Sequence, residues 1–295
     1  MIQVKYINHL GQELDLSSDN YQIDLEALLN YNWNIDASDK GNYASKVSRF
    51  YRNSHQDSII VTVYADSSTG LQQNLTTFYE TVEKDVLTNK SGKMKVGDYY
   101  YDCFIVSAEN QYWNDPSQIV TGKFFANKTI SLYSPRPFWY KEETPIFFGR
   151  EQSITPEDTE HIKFYPHGYD YDYYSTSGIE RLIANTNIDS ADFRMEIFGA
   201  TEEPYVLIGG HNYSLRANLG VNERLVLDTR DKTFVKVLPN GQQINMFNYR
   251  GLDDYIFEKI PSGNSRVQWS GTFAFSIQMY QRRSEPIWSY GGING

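Results

Sequence analysis

Tyrosine side chains in the middle of the chain have the spacing of a binding platform. In the segment GYDYDYYS, residues 168–175, Tyr169, Tyr171 and Tyr173 alternate with two aspartates. Alternate residues of a β-strand point to one face, so the three rings would form a surface on which sugar rings can stack. Trp269 is a fourth aromatic candidate for this saccharide site. The same tyrosines suit strand packing or a subunit interface, and we favour that simpler interpretation.

Two adjacent arginines near the end of the chain are candidates for an anion site. Arg282 and Arg283 follow an alternating apolar segment and precede a proline at 286. Neighbouring residues of a strand point to opposite faces, so the pair cannot hold one anion as a bidentate clamp. We therefore predict that the pair protects a sheet edge or forms ion pairs between subunits.

Other reactive residue types lack the neighbours that catalysis needs. Cys103 is the only cysteine and lies in an aromatic strand, where we expect it to fill space in a core. His161 and His167 lie among five carboxylates without a regular metal-ligand spacing, which favours a solvated linker. The sequence also has no nucleophile elbow, zinc-protease motif, phosphate-binding glycine loop or CxxC pair.

We therefore predict a protein that is not an enzyme, with no catalytic residues, no metal and no cofactor. A jelly-roll glycoside hydrolase is the least favoured alternative. It would need two facing carboxylates about 5–9.5 Å apart in a cleft. The chain has 37 acidic residues, and their number alone selects no such pair.

Composition and charge narrow the class of protein. The chain has 295 residues and a formal net charge of −10, so it lacks the basic surface that tight nucleic-acid binding needs. A single cysteine indicates folding in a reducing cytoplasm. The N-terminus lacks the apolar core of a secretory signal, and no apolar run approaches the ~18 residues of a membrane span. We expect neither membrane insertion nor sequence-specific nucleic-acid binding.

The first half of the chain is predicted to form strands around one helix. In SIIVTVYA, Ile59, Val61 and Val63 share one face of a strand. The helix, about residues 70–85, is expected to be capped by Ser68 or Thr69. Its apolar residues have helical spacing: Leu71, Leu75, Phe78 and Val82.

A domain boundary is predicted in the segment SPRPFWY, residues 134–140. Its two prolines cannot donate to a sheet, so we divide the chain into domains at 1–134 and 135–295. The second domain contains short alternating strands separated by turns, which is typical of a β-sandwich or jelly roll. Its last strand is expected to follow a turn at 262–264 and to end at 282–286. That strand has apolar residues on one face: Phe273, Phe275, Ile277 and Met279.

Several segments of the second half resemble, in order and spacing, the phage distal tail proteins (Dit) of siphovirus tails. They are SPRPFWY, FYPHGYDYDYY, IANTNIDSADFRMEIFGATEEPYVLI, GVNERLVLDTRDKTFVKVLPNGQQINMF and FEKIPSGNSRVQWSGTFAFSIQMYQRRSEPIW. The resemblance covers roughly residues 130–288 and includes no catalytic motif. Residues 1–130 resemble the family's N-terminal domain more loosely, through strands around the helix.

The resemblance implies a structural role in the virion, at the tip of a phage tail. It implies a tail-tube-like N-terminal β-sandwich or barrel with one helix, which forms a hexameric ring, and a galectin-like C-terminal β-sandwich. The ring would join the tail tube and tape measure to the tail-associated lysin or fibre and to receptor-binding proteins. DNA would pass through its channel, and the acidic composition suits a wall to which DNA does not adhere. The alternative function is a carbohydrate-binding module of a phage adhesion device.

Overall fold

The computed structural model describes residues 3–24, 28–39, 41, 45–113, 123–149, 179–251 and 254–286. Within these ranges the protein is mainly β, as the sequence predicts, with one long α-helix. It divides into two compact units. Unit 1 contains the described residues up to Lys141 and those from Arg282 onward, and unit 2 contains those from Glu142 to Gln281. The domain boundary between 134 and 135 stays a prediction.

Unit 1 consists of two sets of antiparallel strands, and both sets include one long strand, Tyr99–Trp113 or β8. The helix α1 and the strands have these bounds: β1 Val4–Ile7, β2 Glu13–Asp15, β3 Tyr21–Ile23, β4 Asn34–Asp39, β5 Ser45–Tyr51, β6 His55–Ala65, α1 Ser68–Thr88, β7 Gly92–Val96, β8 Tyr99–Trp113, β9 Phe124–Ser134 and β10 Trp139–Glu142. The first part of β8 pairs with β7 and the rest pairs with β9. The strand order is β2–β1–β7–β8 on one side and β8–β9–β6–β3 on the other.

Helix α1 covers the core of unit 1 with the four apolar residues that the sequence predicts. Leu71, Leu75, Phe78 and Val82 are all buried in one cluster with the strands. The N-cap is Ser67 and not Ser68 or Thr69, because Ser67 has an extended backbone and its hydroxyl accepts the N–H of Gly70 at 3.0 Å.

Strands β4 and β5 form a two-stranded ribbon. Among the described strands they pair only with each other. Ile35 lies opposite Phe50, and Ala37 lies opposite Val47 after a bulge, so these four side chains share one face. An isolated two-stranded hairpin is at best marginally stable in water. The ribbon therefore depends on contacts beyond its own hydrogen bonds.

Unit 2 is a sandwich of two antiparallel sheets. Its strands have these bounds: β11 Ile146–Phe148, β12 Ile179–Asn185, β13 Phe193–Phe198, β14 Tyr205–Ile208, β15 His211–Ser214, β16 Arg224–Asp228, β17 Thr233–Val237, β18 Gln243–Asn245, β19 Gly263–Trp269 and β20 Ala274–Arg283. One sheet has the order β18–β17–β16–β13–β20–β11, and the other has the order β12–β19–β14–β15. Their inner faces form one core, which includes Met195 and Ile277 from the first sheet and Val267 from the second.

The end of the chain differs in one respect from the expected turn and last strand. The turn near Gly263 leads into β19, and the last strand, β20, begins only after a second turn at Gly271. Gly271 has φ +77°, a left-handed conformation that favours glycine. This second turn carries the chain from one sheet to the other. The apolar face predicted for the last strand is confirmed: Phe275, Ile277 and Met279 of β20 are buried, and so is Phe273, the residue before it.

A buried carboxylate joins three parts of unit 1. Asp85, in the last turn of α1, accepts the hydroxyl of Tyr6 at 2.5 Å and the backbone N–H of His9 at 2.8 Å, and its Oδ1 lies 2.6 Å from Nδ1 of His9. Burial raises the pKa of Tyr6, so its hydroxyl keeps the proton that it donates. A side chain at Gly92 would overlap Asp85 and Tyr6, so only glycine fits there.

A second buried carboxylate lies in unit 2, in a more local arrangement. Asp228, at the end of β16, accepts the backbone N–H groups of Arg230 at 2.9 Å and Asp231 at 3.0 Å. It also accepts the hydroxyl of Tyr280 on β20 at 2.7 Å. Asp228 therefore fixes the turn between β16 and β17 and links it to the neighbouring strand.

Candidate interaction surfaces

Of the rings predicted to bind saccharide, the structure describes Trp269. This indole lies on the inward face of β19 and is only 1% exposed. Its ring centroid lies 5.5 Å from that of Phe148 and 5.3 Å from that of Phe275. A sugar can stack on Trp269 only if the core opens. Tyr169, Tyr171 and Tyr173 lie outside the described residues, so their predicted role stays a prediction.

The arginine pair lies where β20 ends, as the sequence predicts. Arg282 is exposed, and its Cζ lies 4.5 Å from the ring centroid of Phe138. Arg283 is half-buried, and β20 stops at this residue before Pro286. The contact of Arg282 is therefore a cation–π contact within unit 1. The proposed role of the pair between subunits stays a prediction.

Phe138 also anchors the base of the ribbon. The Cζ of Arg52, the residue after β5, lies 4.6 Å from the ring centroid of Phe138 and 5.7 Å from that of Tyr31. Trp33, the residue before β4, lies 5.9 Å from Phe138 edge to face. Desolvation lowers the pKa of Arg52, and the aromatic faces around it offset part of that cost. The chain thus contacts the ring of Phe138 both where it enters the ribbon, at Trp33, and where it leaves it, at Arg52.

The ribbon exposes the apolar face that its register creates. Ile35 is 56% exposed and Phe50 is 59% exposed, and Val47 beside them is also exposed. The opposite face is polar and carries an ion pair of 2.7 Å between Arg49 and Asp36. Contiguous exposed apolar residues rimmed by polar ones are typical of protein–protein contacts. The ribbon therefore has one apolar and one polar face, and both faces are exposed to water.

A second apolar surface in unit 1 is a groove between α1 and β8. Its volume is about 370 Å³, and Val86 and Leu87 of the helix line it together with Val106 of the strand. Leu87 is 83% exposed. The register of β8 shifts between Ile105 and Ser107, which turns Val106 outward. The groove is concave and apolar, with one carboxylate, Glu83, at its side.

The two surfaces differ in charge. The described residues of the segment 34–52, which contains the ribbon, carry three basic and two acidic side chains, whereas the surface of α1 carries two acidic ones, Glu80 and Glu83, and one basic one, Lys84, because Asp85 is buried. The ribbon is thus a basic segment of an acidic chain. Opposite potentials favour contact between the two surfaces.

One side-chain group in unit 1 has the composition of a hydrolase triad. Asp85 orients His9, and Nε2 of His9 lies 3.5 Å from Oγ1 of Thr88. However, Oγ1 of Thr88 donates to the backbone carbonyl of Lys84 at 2.7 Å, so its proton points away from the imidazole. A nucleophile needs the base to accept that proton. This arrangement therefore stabilises the end of the helix and does not activate an alcohol.

The buried thiol is also chemically inert. Cys103 is fully buried, and burial raises the pKa of its thiol, so the nucleophilic thiolate is suppressed. Within the described ranges, no group of three or more His, Cys, Asp or Glu is placed to hold a metal ion. His161 and His167 lie outside those ranges. No helix in the described part of the chain is long and apolar enough to span a membrane.

Known proteins match this chain in fold and not in sequence. No family model and no curated protein matches it. The Dit protein of phage SPP1, described as a paradigm of the hub adsorption apparatus in phages that infect Gram-positive bacteria, aligns over 96% of this chain and 99% of its own, with a TM-score of 0.58 and 12% identity. The chain has a Dit-like fold.

Two structures of the phage p2 baseplate in its activated conformation, with Sr and with Ca, contain a chain of similar fold. Each aligns over 97% of this chain and 100% of its own at 12% identity, with TM-scores of 0.61 and 0.59. The Dit-like fold therefore extends over nearly the whole chain. The sequence resemblance, which is strongest after residue 130, is confirmed at the level of the fold.

The ribbon and its anchor are the features that sequence reasoning missed. The segment 31–57 matches no pattern in the resemblance, although Trp33, Ile35 and Ala37 alternate as a strand does. That alternation, followed after a glycine by Val47, is the signal of a hairpin with one apolar face. A bulge at Ser48 of β5 shifts the register and interrupts the alternation between Val47 and Phe50.

Proposed function

We propose that this protein is a structural component of a phage tail tip or baseplate and that six copies form a ring. The observation that carries the proposal is the Dit-like fold over nearly the whole chain. The ring would connect the tail tube and tape measure protein to the tail-associated lysin or fibre and to receptor-binding proteins. It would leave a channel through which DNA passes.

The surfaces of unit 1 support assembly as the role. A closed head-to-tail ring needs two different complementary patches on each copy. Unit 1 carries the exposed apolar face of the ribbon and the apolar groove beside α1, which differ in shape and charge. The buried thiol and the misdirected hydroxyl of Thr88 agree with a structural role for this unit.

Electron microscopy of the concentrated purified protein tests the proposal. We expect six-fold rings with a central channel, in a fraction that grows with protein concentration because assembly follows mass action. Single 34.2-kDa particles at every concentration, with and without the neighbouring tail proteins, would contradict it.

A further inference from the structure

We propose that the apolar face of the ribbon of one copy docks into the groove between α1 and β8 of the next copy. This inference rests on the proposed function, because it assigns the two patches of the ring contact. It commits to a second copy of this chain as the occupant of the groove.

The ribbon has the shape and order of a docking element. Its apolar face is exposed, and its base is held to Phe138 by Trp33 on one side and Arg52 on the other. An element that is already held in its bound conformation loses less conformational entropy on binding. The ribbon and the groove are both exposed in the same chain, so they do not cover each other within one copy.

The groove complements the ribbon in chemistry. Val86, Leu87 and Val106 offer an apolar concavity of about 370 Å³ to the side chains of Ile35 and Phe50. Without the buried Asp85, the surface of the helix beside the groove has one more acidic than basic side chain, and the described residues of 34–52 have one more basic than acidic side chain. Opposite charge steers the two surfaces together and disfavours contacts between two ribbons or two helices.

The size of the contact explains why closure of the ring matters. A strand rises about 3.3 Å per residue and adjacent strands lie about 4.8 Å apart, so the six residues of β4 define an apolar face of about 20 by 10 Å. That is about 200 Å², far below the roughly 800 Å² that each partner buries in a stable pair. One ribbon–groove contact is therefore weak, and assembly relies on further contacts and on closing the ring.

Cross-linking between two single-cysteine variants tests the docking. Cys103 is buried and unreactive, so Phe50→Cys and Leu87→Cys each supply one accessible thiol. With a short bis-maleimide, each thiol adds across one maleimide double bond, which requires no oxidant. We expect a linked dimer when the two full-length variants are mixed, little product from either alone, and products of up to six copies from the double variant.

Tyr249→Cys is the matched control, because Tyr249 lies in unit 2 and is 54% exposed, close to the exposure of Phe50. Rings in the microscope without a link between Phe50→Cys and Leu87→Cys would overturn the docking and leave the proposed function intact. Self-linking of Phe50→Cys would replace it with a ribbon–ribbon contact. The absence of both rings and links would remove the proposed function as well.

Charge substitutions give an independent readout. Phe50→Glu or Leu87→Lys alone should weaken assembly about tenfold or more, since burial of one such side chain contributes about 1.5–3 kcal/mol. The double variant places the two new charges opposite each other across the contact, and we expect it to recover part of the loss. If both single variants assemble like the wild type, the docking is wrong.

Discussion

The two units handle their outward-facing side chains in different ways. On β13 of unit 2 the buried positions alternate with charged ones, and Arg194 pairs with Glu196 at 2.6 Å on the outside of the sheet. In unit 1 the outward positions of the ribbon and the groove include Phe50 and Leu87. Exposed apolar side chains also occur in unit 2, among them Phe147, Leu182, Ile188 and Val221 and the aromatic residues Phe247, Tyr249 and Tyr255.

The ribbon and the groove make unit 1 the candidate for association. Unit 2 has a closed apolar core, and charged side chains pair on the outside of β13. Unit 1 leaves one contiguous apolar ribbon face and one apolar groove without cover among the described residues. We therefore expect substitutions in unit 1 to affect both folding and assembly, and those in unit 2 to affect mainly folding.

The largest expected effect comes from the carboxylate that joins three parts of unit 1. Asp85→Ala leaves the buried hydroxyl of Tyr6 and the half-buried His9 without their acceptor. We expect the free energy of unfolding to fall by about 3–5 kcal/mol in urea titrations. Labelling of Cys103 by a thiol reagent should become faster, since that thiol lies in unit 1.

Glu80→Ala is the control for this prediction, because Glu80 is exposed on the same helix. It should change the free energy of unfolding by less than about 0.5 kcal/mol. A comparable small effect of Asp85→Ala would show that the buried carboxylate is not what fixes α1 to the strands.

Alkaline pH should weaken unit 1 through Tyr101. Burial against Trp139 raises the pKa of Tyr101 from 10.0 to about 12. The folded protein therefore keeps a proton that the unfolded chain releases above pH 10. This contribution to stability is fully present below pH 10 and is lost as the pH rises through 12, at most about 2–3 kcal/mol in total.

Tyr101→Phe should remove that part of the pH dependence, whereas Tyr249→Phe, at an exposed position in unit 2, should not. The free energy of unfolding of the wild type and both variants is compared in urea titrations between pH 9 and pH 12, with hydrogen exchange measured for each unit. Equal pH dependence in Tyr101→Phe and the wild type would show that this tyrosine does not titrate as described.

The corresponding substitution in unit 2 should have a smaller effect. Asp228→Ala removes the acceptor of two backbone N–H groups in a turn and of the Tyr280 hydroxyl. We expect a loss of about 1–3 kcal/mol, because the turn lies near the surface and water can replace part of these bonds. Glu202→Ala, at an exposed position in the same unit, should be neutral. A loss larger than that of Asp85→Ala would reverse the comparison.

The smallest effect should come from the cap of α1. Ser67→Ala removes the acceptor of the Gly70 N–H and should cost about 1 kcal/mol in unfolding free energy. Ser67→Asp keeps an acceptor at the cap and should retain most of the stability. If Ser68→Ala cost more than Ser67→Ala, the cap would be at the residue that the sequence suggested.

The sequence predicts those elements whose pattern reflects one buried face. The helix follows from the spacing of Leu71 and Phe78, and β20 from the alternation of Phe275 and Ile277. The separation of β19 from β20 was not predicted, because the turn at Gly271 interrupts a segment that is apolar and alternating on both sides.

The interaction surfaces were harder to predict for a physical reason. Ile35, Val47 and Phe50 are apolar but exposed, so no core within the chain imposes a period on their segment. The groove depends on the bulge at Val106, and no local sequence pattern in β8 predicts that bulge. Trp269 differs from these residues, because it was proposed as an exposed ring and is buried. The alternation within β19 shows that its residues lie on two faces, but it does not show which face meets the second sheet.

Ring assembly is measured most directly by sedimentation velocity of the full-length protein over a range of concentrations, comparing the wild type with Phe50→Asp and with the control Tyr249→Asp. We expect a species of six copies that grows with concentration for the wild type and the control, and at least about tenfold weaker assembly for Phe50→Asp. A wild type that stays monomeric throughout, or a Phe50→Asp variant that assembles as well as the control, would contradict it.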